Sequence, residues 1–105
     1  MKRATYNILM LESGKPKKLP VKGYWASLPA FPEVRAVVNR TWIRNIGPSP
    51  CSWTCTEYES GLAIGEGNTR NDAIANAESN IRRHGMERML SSMSASIYSR
   101  GRANP

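Results

Sequence analysis

Few side chains in this sequence are of the types that make or break bonds. The one histidine, His84, follows Arg82 and Arg83, where its expected role is to complement the negative end of a helix rather than to shuttle protons. Cys51 and Cys55 are separated by Ser-Trp-Thr, and positions four apart share one face of a strand. Two cysteines and one histidine fall short of the four ligands of a structural zinc site, so no metal site is expected. A disulfide between the two is not expected either. Residues four apart in an extended strand lie roughly 13 Å apart at about 3.3 Å per residue, beyond the reach of the bond. The pair is expected as reduced, half-buried thiols. Glu57 and Glu59 share a strand face, which solvation explains better than paired-carboxylate catalysis. No Walker loop, HExxH or nucleophile elbow occurs. The expectation is no catalytic residue, no cofactor, and a protein that works by binding.

Gly65-Glu66-Gly67-Asn68-Thr69-Arg70 joins a strand pattern to a helix pattern. Glycines permit tight turns there, and free amides at a helix start can hold a phosphate. The third glycine of a dinucleotide fingerprint is missing, and Glu66 would repel a phosphate. With Asn71, Ala73 and Ala77, the segment resembles the strand-to-helix junction of double-stranded-RNA-binding domains, where a G-x-G-x-S-K-K-x-A-K pattern opens the last helix. The resemblance covers about a fifth of the chain. It implies that Thr69 stands for the serine and Arg70 for the first phosphate-touching lysine, while Asn71 and Ile74 occupy the places of the other two. The family's first helix has no counterpart in the pattern. Overall the chain looks like a small phage or mobile-element accessory protein, and small strand-strand-strand-helix proteins such as antitoxin-like folds are similar.

Lysine and arginine number 15 against 8 aspartates and glutamates, a net charge of +7. That balance excludes a DNA mimic, which needs an acidic face, and attracts polyanions or acidic protein surfaces. The cations gather in two regions. Lys2, Arg3, Lys15, Lys17, Lys18 and Lys22 lie early; Arg70, Arg82, Arg83, Arg88, Arg100 and Arg102 lie late. One basic face that tracks phosphates is the expectation. Three tryptophans exceed what so small a core requires. Trp42 and Trp53 are expected in the core, and Trp25, beside Tyr24 in a proline-rich loop, as a contact residue. The expected interface is therefore Lys15, Lys17, Lys18, Lys22, Trp25, Arg70, Arg82, Arg83 and Arg88. Its partner is nucleic acid, DNA or RNA, bound with low sequence specificity and weakened by salt. The competing expectation is a protein–protein inhibitor or adaptor, such as a phage-encoded inhibitor of a bacterial defence complex (anti-CRISPR-like). Such a protein would sit on an acidic or nucleic-acid-handling complex.

The elements that must carry these residues follow from periodicity and punctuation. Ala4 to Glu12 reads as a strand, broken by Ser13-Gly14. Lys15 to Lys22, with Pro16 and Pro20, reads as an exposed basic loop. Val34 to Ile46 is β-branched and aromatic, Gly47-Pro48-Ser49-Pro50 reads as a turn, and Cys51 to Glu59 alternates as a half-buried strand should. Ser60-Gly61 turns the chain into Leu62-Ala63-Ile64. A helix then runs from about Arg70 to His84, capped by Thr69 and ended by Gly85, with Ala73, Ala77 and Ile81 on its apolar stripe. Met86, Met89, Leu90, Met93 and Ile97 keep helical spacing. The predicted fold is α+β: an antiparallel three- to four-stranded sheet packed against a C-terminal helix, with a second Met-rich helix. One domain over 1–98 and a flexible basic tail over 99–105 are expected. No apolar run reaches membrane-spanning length, and Ile8 to Leu11 is too short for a secretory signal. The expectation is a cytoplasmic monomer or homodimer without a membrane partner.

Overall fold

Strand-forming residues take up the first two-thirds of the chain, with tight turns after β1 and β3 and a longer irregular connection over 27–35 between β2 and β3. The computed structural model describes residues 1–93 and 103–104. Strands β1 (Arg3–Glu12), β2 (Lys15–Ala26), β3 (Ala36–Ile43), β4 (Gly47–Glu57) and β5 (Ala63–Gly67) precede helices α1 (Arg70–His84) and α2 (Met86–Met93). All neighbours are antiparallel, in the order β1-β2-β3-β4-β5. The α+β class and the helix backing match the sequence reading, and the sheet has one strand more than expected. No helix among the described residues is long and apolar enough to cross a membrane.

The additional strand is β2, expected as a loop because of its prolines. The Trp25 amide donates to Lys2 O on the β1 side, so amides at even positions of β2 turn the other way. That other edge is open along most of β2, since pairing with β3 covers only Tyr24–Ala26 against Ala36–Val38. Pro16 and Pro20 therefore remove no ladder bond. Gly47 to Pro50, expected as a turn, likewise opens β4, and the reversal sits just before it, where Asn45 takes φ 66°.

Two apolar layers flank β3, and Val37 and Val38 are both 0% exposed. On one side Ala73, Ala77 and Ile81 of α1 pack on Val38, Cys55 and Ile64, with Leu28 and Met89 closing the ends. The helix approaches β5 closely because Gly65 and Gly67 have no side chains. A Cβ on Gly65 would run into the Ala77 amide nitrogen, and one on Gly67 into Asp72 Cβ at 2.6 Å. On the other side Tyr6, Ile8 and Val21 of the β1–β2 hairpin fold over Val37, and Tyr6 Oη donates to Asn39 Oδ1 at 2.9 Å.

This curl brings β1 round to the β4–β5 turn. Leu9 N–H donates to Gly61 O at 2.9 Å. Asn104 completes the closure: its Oδ1 accepts from Asn7 N–H at 2.8 Å, and its Nδ2 donates to Asn7 O and Tyr58 O, each at 2.8 Å. Most of the expected 99–105 tail lies outside the described residues. Ala103 and Asn104, however, are buried and hydrogen-bonded. Of the Met-rich stripe, Met89 is buried in the α1 layer, while Ile97 lies outside the described residues.

Candidate functional site

The local signals that start α1 also fix one wall of the site. Thr69 Oγ1 accepts from Asp72 N–H at 3.0 Å, which sets Arg70 in the first turn. A cation there opposes the helix dipole. It is held instead over aromatic faces, with Arg70 Cζ 4.7 Å from the Tyr24 ring centre and 5.3 Å from that of Trp53. Such stacking contributes on the order of 0.5–2 kcal/mol, enough to offset the dipole term.

The second wall is made by the parting of two strands. Below Tyr24, β2 stays with β1 while β3 continues along β4. The wedge between them is a cavity of about 570 Å³, within the usual range for small-ligand sites. Lys22 and Tyr24 face it from β2, Arg40 and Trp42 from β3, Trp53 from β4 and Arg70 from α1. A register irregularity between Arg40 and Trp42 lies at its rim, the kind of bulge that re-aims side chains. Arg40 Cζ lies 4.7 Å from the Trp53 ring centre, and its Nη1 donates to Pro50 O at 2.9 Å. That carbonyl orients the guanidinium without neutralising it. No carboxylate lines the wedge among the described residues. A second recess of about 350 Å³ adjoins it, sharing Thr5, Lys22 and Tyr24 and adding Arg3.

The residues singled out for bond chemistry sit elsewhere. Cys55 is buried and Cys51 exposed, because only the inner end of that strand face lies under α1. Burial, reinforced by Glu78, pushes the Cys55 thiol up to about 12, so it stays protonated at neutral pH. Burial, with a smaller contribution from Cys55, also raises the Tyr6 phenol. The Glu57 carboxylate accepts from the amides of Glu59 and Ser60 at 2.9 and 3.0 Å and so holds a turn together. His84 is exposed in the last turn of α1. Among the described residues no three metal-ligating side chains cluster. Gly65 and Gly67, weighed as a structural turn against a phosphate loop, serve the close packing of helix on strand.

Of the expected interface, the wedge brings together Lys22 and Arg70. Lys15, Lys17 and Lys18 are exposed towards the turn end of the β1–β2 hairpin. Trp25 lies on a strand rather than a loop, half-buried 4.7 Å from Tyr58, with Arg35 Cζ 5.6 Å from its ring centre. Arg82 and Arg83 occupy the opposite end of α1, about 18 Å from Arg70 at about 1.5 Å per residue. Arg82 lies 6.0 Å from the Phe31 ring centre, and Arg88 is on α2. The wedge itself takes in two of these nine residues, Lys22 and Arg70. Arg3, Tyr24, Arg40, Trp42 and Trp53 were not anticipated as site residues. The signal for most of them was present as Lys22-Gly23-Tyr24 and Arg40-Thr41-Trp42, a cation and an aromatic two apart on each of two strands. No family model, curated protein or solved structure matches this chain.

Proposed function

We propose that this protein binds nucleic acid through the wedge between β2 and β3, with little sequence specificity and without catalysing a reaction. The observation that carries this reading is the composition of the wedge: Lys22, Arg40 and Arg70 converge there with Tyr24, Trp42 and Trp53, and no carboxylate answers them among the described residues. Guanidinium groups stacked on aromatic rings keep their outward N–H donors for phosphate oxygens. Three cations drawn together in this way repel one another, and a polyanion relieves that repulsion. The remaining charge of a +7 chain steers such a ligand towards the wedge. A reduced, protonated Cys55 and a Glu57 committed to turn amides support binding over catalysis. The reading carries a cytoplasmic location with it.

Fluorescence anisotropy with labelled oligonucleotides at 50 and 200 mM salt tests the proposal. Affinity should fall steeply with salt, because each neutralised phosphate releases counterions. Arg40→Gln and Arg70→Gln should each flatten the logarithmic salt slope by roughly one unit. Absence of binding at 50 mM salt would overturn the reading, as would binding that both substitutions leave unchanged.

A further inference from the structure

Resting on that reading, we infer that the wedge takes an unpaired segment of nucleic acid, with a base against Trp42 and its flanking phosphates on Arg40, Arg70 and Lys22. Three observations carry this. First, the cations and aromatics lie inside a cleft between separated strands rather than on a convex surface. In a duplex the bases are stacked and paired, so only backbone would reach the rim, and the aromatic wall would stay empty. An unpaired nucleotide presents a base face and a phosphate at once, the two chemistries that this cavity places together.

Second, the aromatics are not equivalent. Arginines already lie over Tyr24 and Trp53. Trp42 lines the same cavity half-buried, packed on the β1–β2 layer, and the two arginines of the wedge, Arg40 and Arg70, stack on Tyr24 and Trp53 instead. It is the ring on which a base can stack without first displacing a guanidinium. Third, the site is longer than one nucleotide requires. The adjoining recess continues past Lys22 and Tyr24 of β2 to Arg3 of β1, which pairs with Tyr24, so the line of cations runs on beyond the wedge as phosphates do along a strand. A free mononucleotide would fill the wedge and leave the recess empty, which is why a strand is the better match.

The test compares three probes on the intact protein at 50 mM salt: a 12-mer oligothymidylate, a hairpin duplex of the same charge, and thymidine monophosphate. The oligothymidylate should bind at least tenfold tighter than either competitor and quench tryptophan fluorescence. Trp42→Leu should weaken it roughly tenfold, in line with the loss of one stacked base. Equal affinity for single strand and duplex overturns the inference and leaves the proposed function standing. Monophosphate binding as tight as the oligomer overturns it in favour of a free nucleotide. Failure of every probe to bind removes the proposed function itself. The comparison of the three probes on the unsubstituted protein decides these outcomes even where Trp42→Leu does not fold.

Discussion

Cys51 and Cys55 show how much one strand face can vary along its length. Both belong to β4, yet one is exposed and the other is 0% exposed beneath α1. Alternation along the strand gives the face and leaves open where the covering helix ends. A consequence follows for pH. The Cys55 thiol is raised from an ordinary 9.0 to about 12, so between those values the unfolded chain releases a proton that the folded chain keeps. Stability is therefore full below pH 9 and falls as pH rises above it, by at most about 1.4 kcal/mol per pH unit. The Tyr6 phenol, raised as well, adds to the loss from about pH 10 upward. Urea midpoints measured from pH 7 to 10.5 should decline beyond pH 9, and Cys55→Ala should remove the decline between pH 9 and 10. In the native protein at pH 8, a thiol reagent should label Cys51 and spare Cys55; rapid labelling of both contradicts the burial.

Among the elements, α1 was the one readable in most detail from sequence, and the reason is locality. Its cap and its terminating glycine are set within one turn of each boundary and its stripe by spacing inside the helix, and Thr69, Ala73, Ala77, Ile81 and Gly85 all do what their types imply. Strand β2 was hidden because prolines count against strands on average. Their tolerance here depends on which edge is open, which is fixed by a partner strand more than ten residues away. The wedge was hidden for the same reason: it exists only because β2 leaves β3, and Arg40 and Lys22 carry no sign of that meeting. The glycines before α1 were read first as a turn, and what the sequence did not show is that they let the helix pack closely on β5. Gly65→Ala should destabilise the fold by about 1–3 kcal/mol, as overpacking does, since the added methyl meets helix backbone instead of a movable side chain. Ala75→Gly, on the exposed face of α1, should cost about 1 kcal/mol or less through helix propensity. Chemical denaturation of both variants separates the mechanisms, and a Gly65→Ala variant as stable as its parent would show that α1 can slide.

On the scale of the whole molecule, one outer strand is sealed by side-chain chemistry. The outer edge of β1 has Leu9 N–H paired to Gly61 O, and beside it the carboxamide of Asn104 accepts from and donates to Asn7 as a neighbouring strand would. Unpaired edges recruit other chains. Asn104→Asp tests the seal, because a carboxylate cannot donate to Asn7 O and Tyr58 O and would face both carbonyls. The expected outcome is a loss on the order of 2 kcal/mol together with concentration-dependent association in size-exclusion chromatography. Wild-type stability with a monomeric profile would show that Gly61 alone closes the edge. Distance along the chain gives this seal a timing as well. Asn7 and Asn104 are 97 residues apart, and a ribosome adding about 5–20 residues per second needs roughly 5–20 seconds to make the second after the first. Gly61 is made earlier and can pair with Leu9, but for that interval the Asn7 stretch of the β1 edge lacks its carboxamide partner.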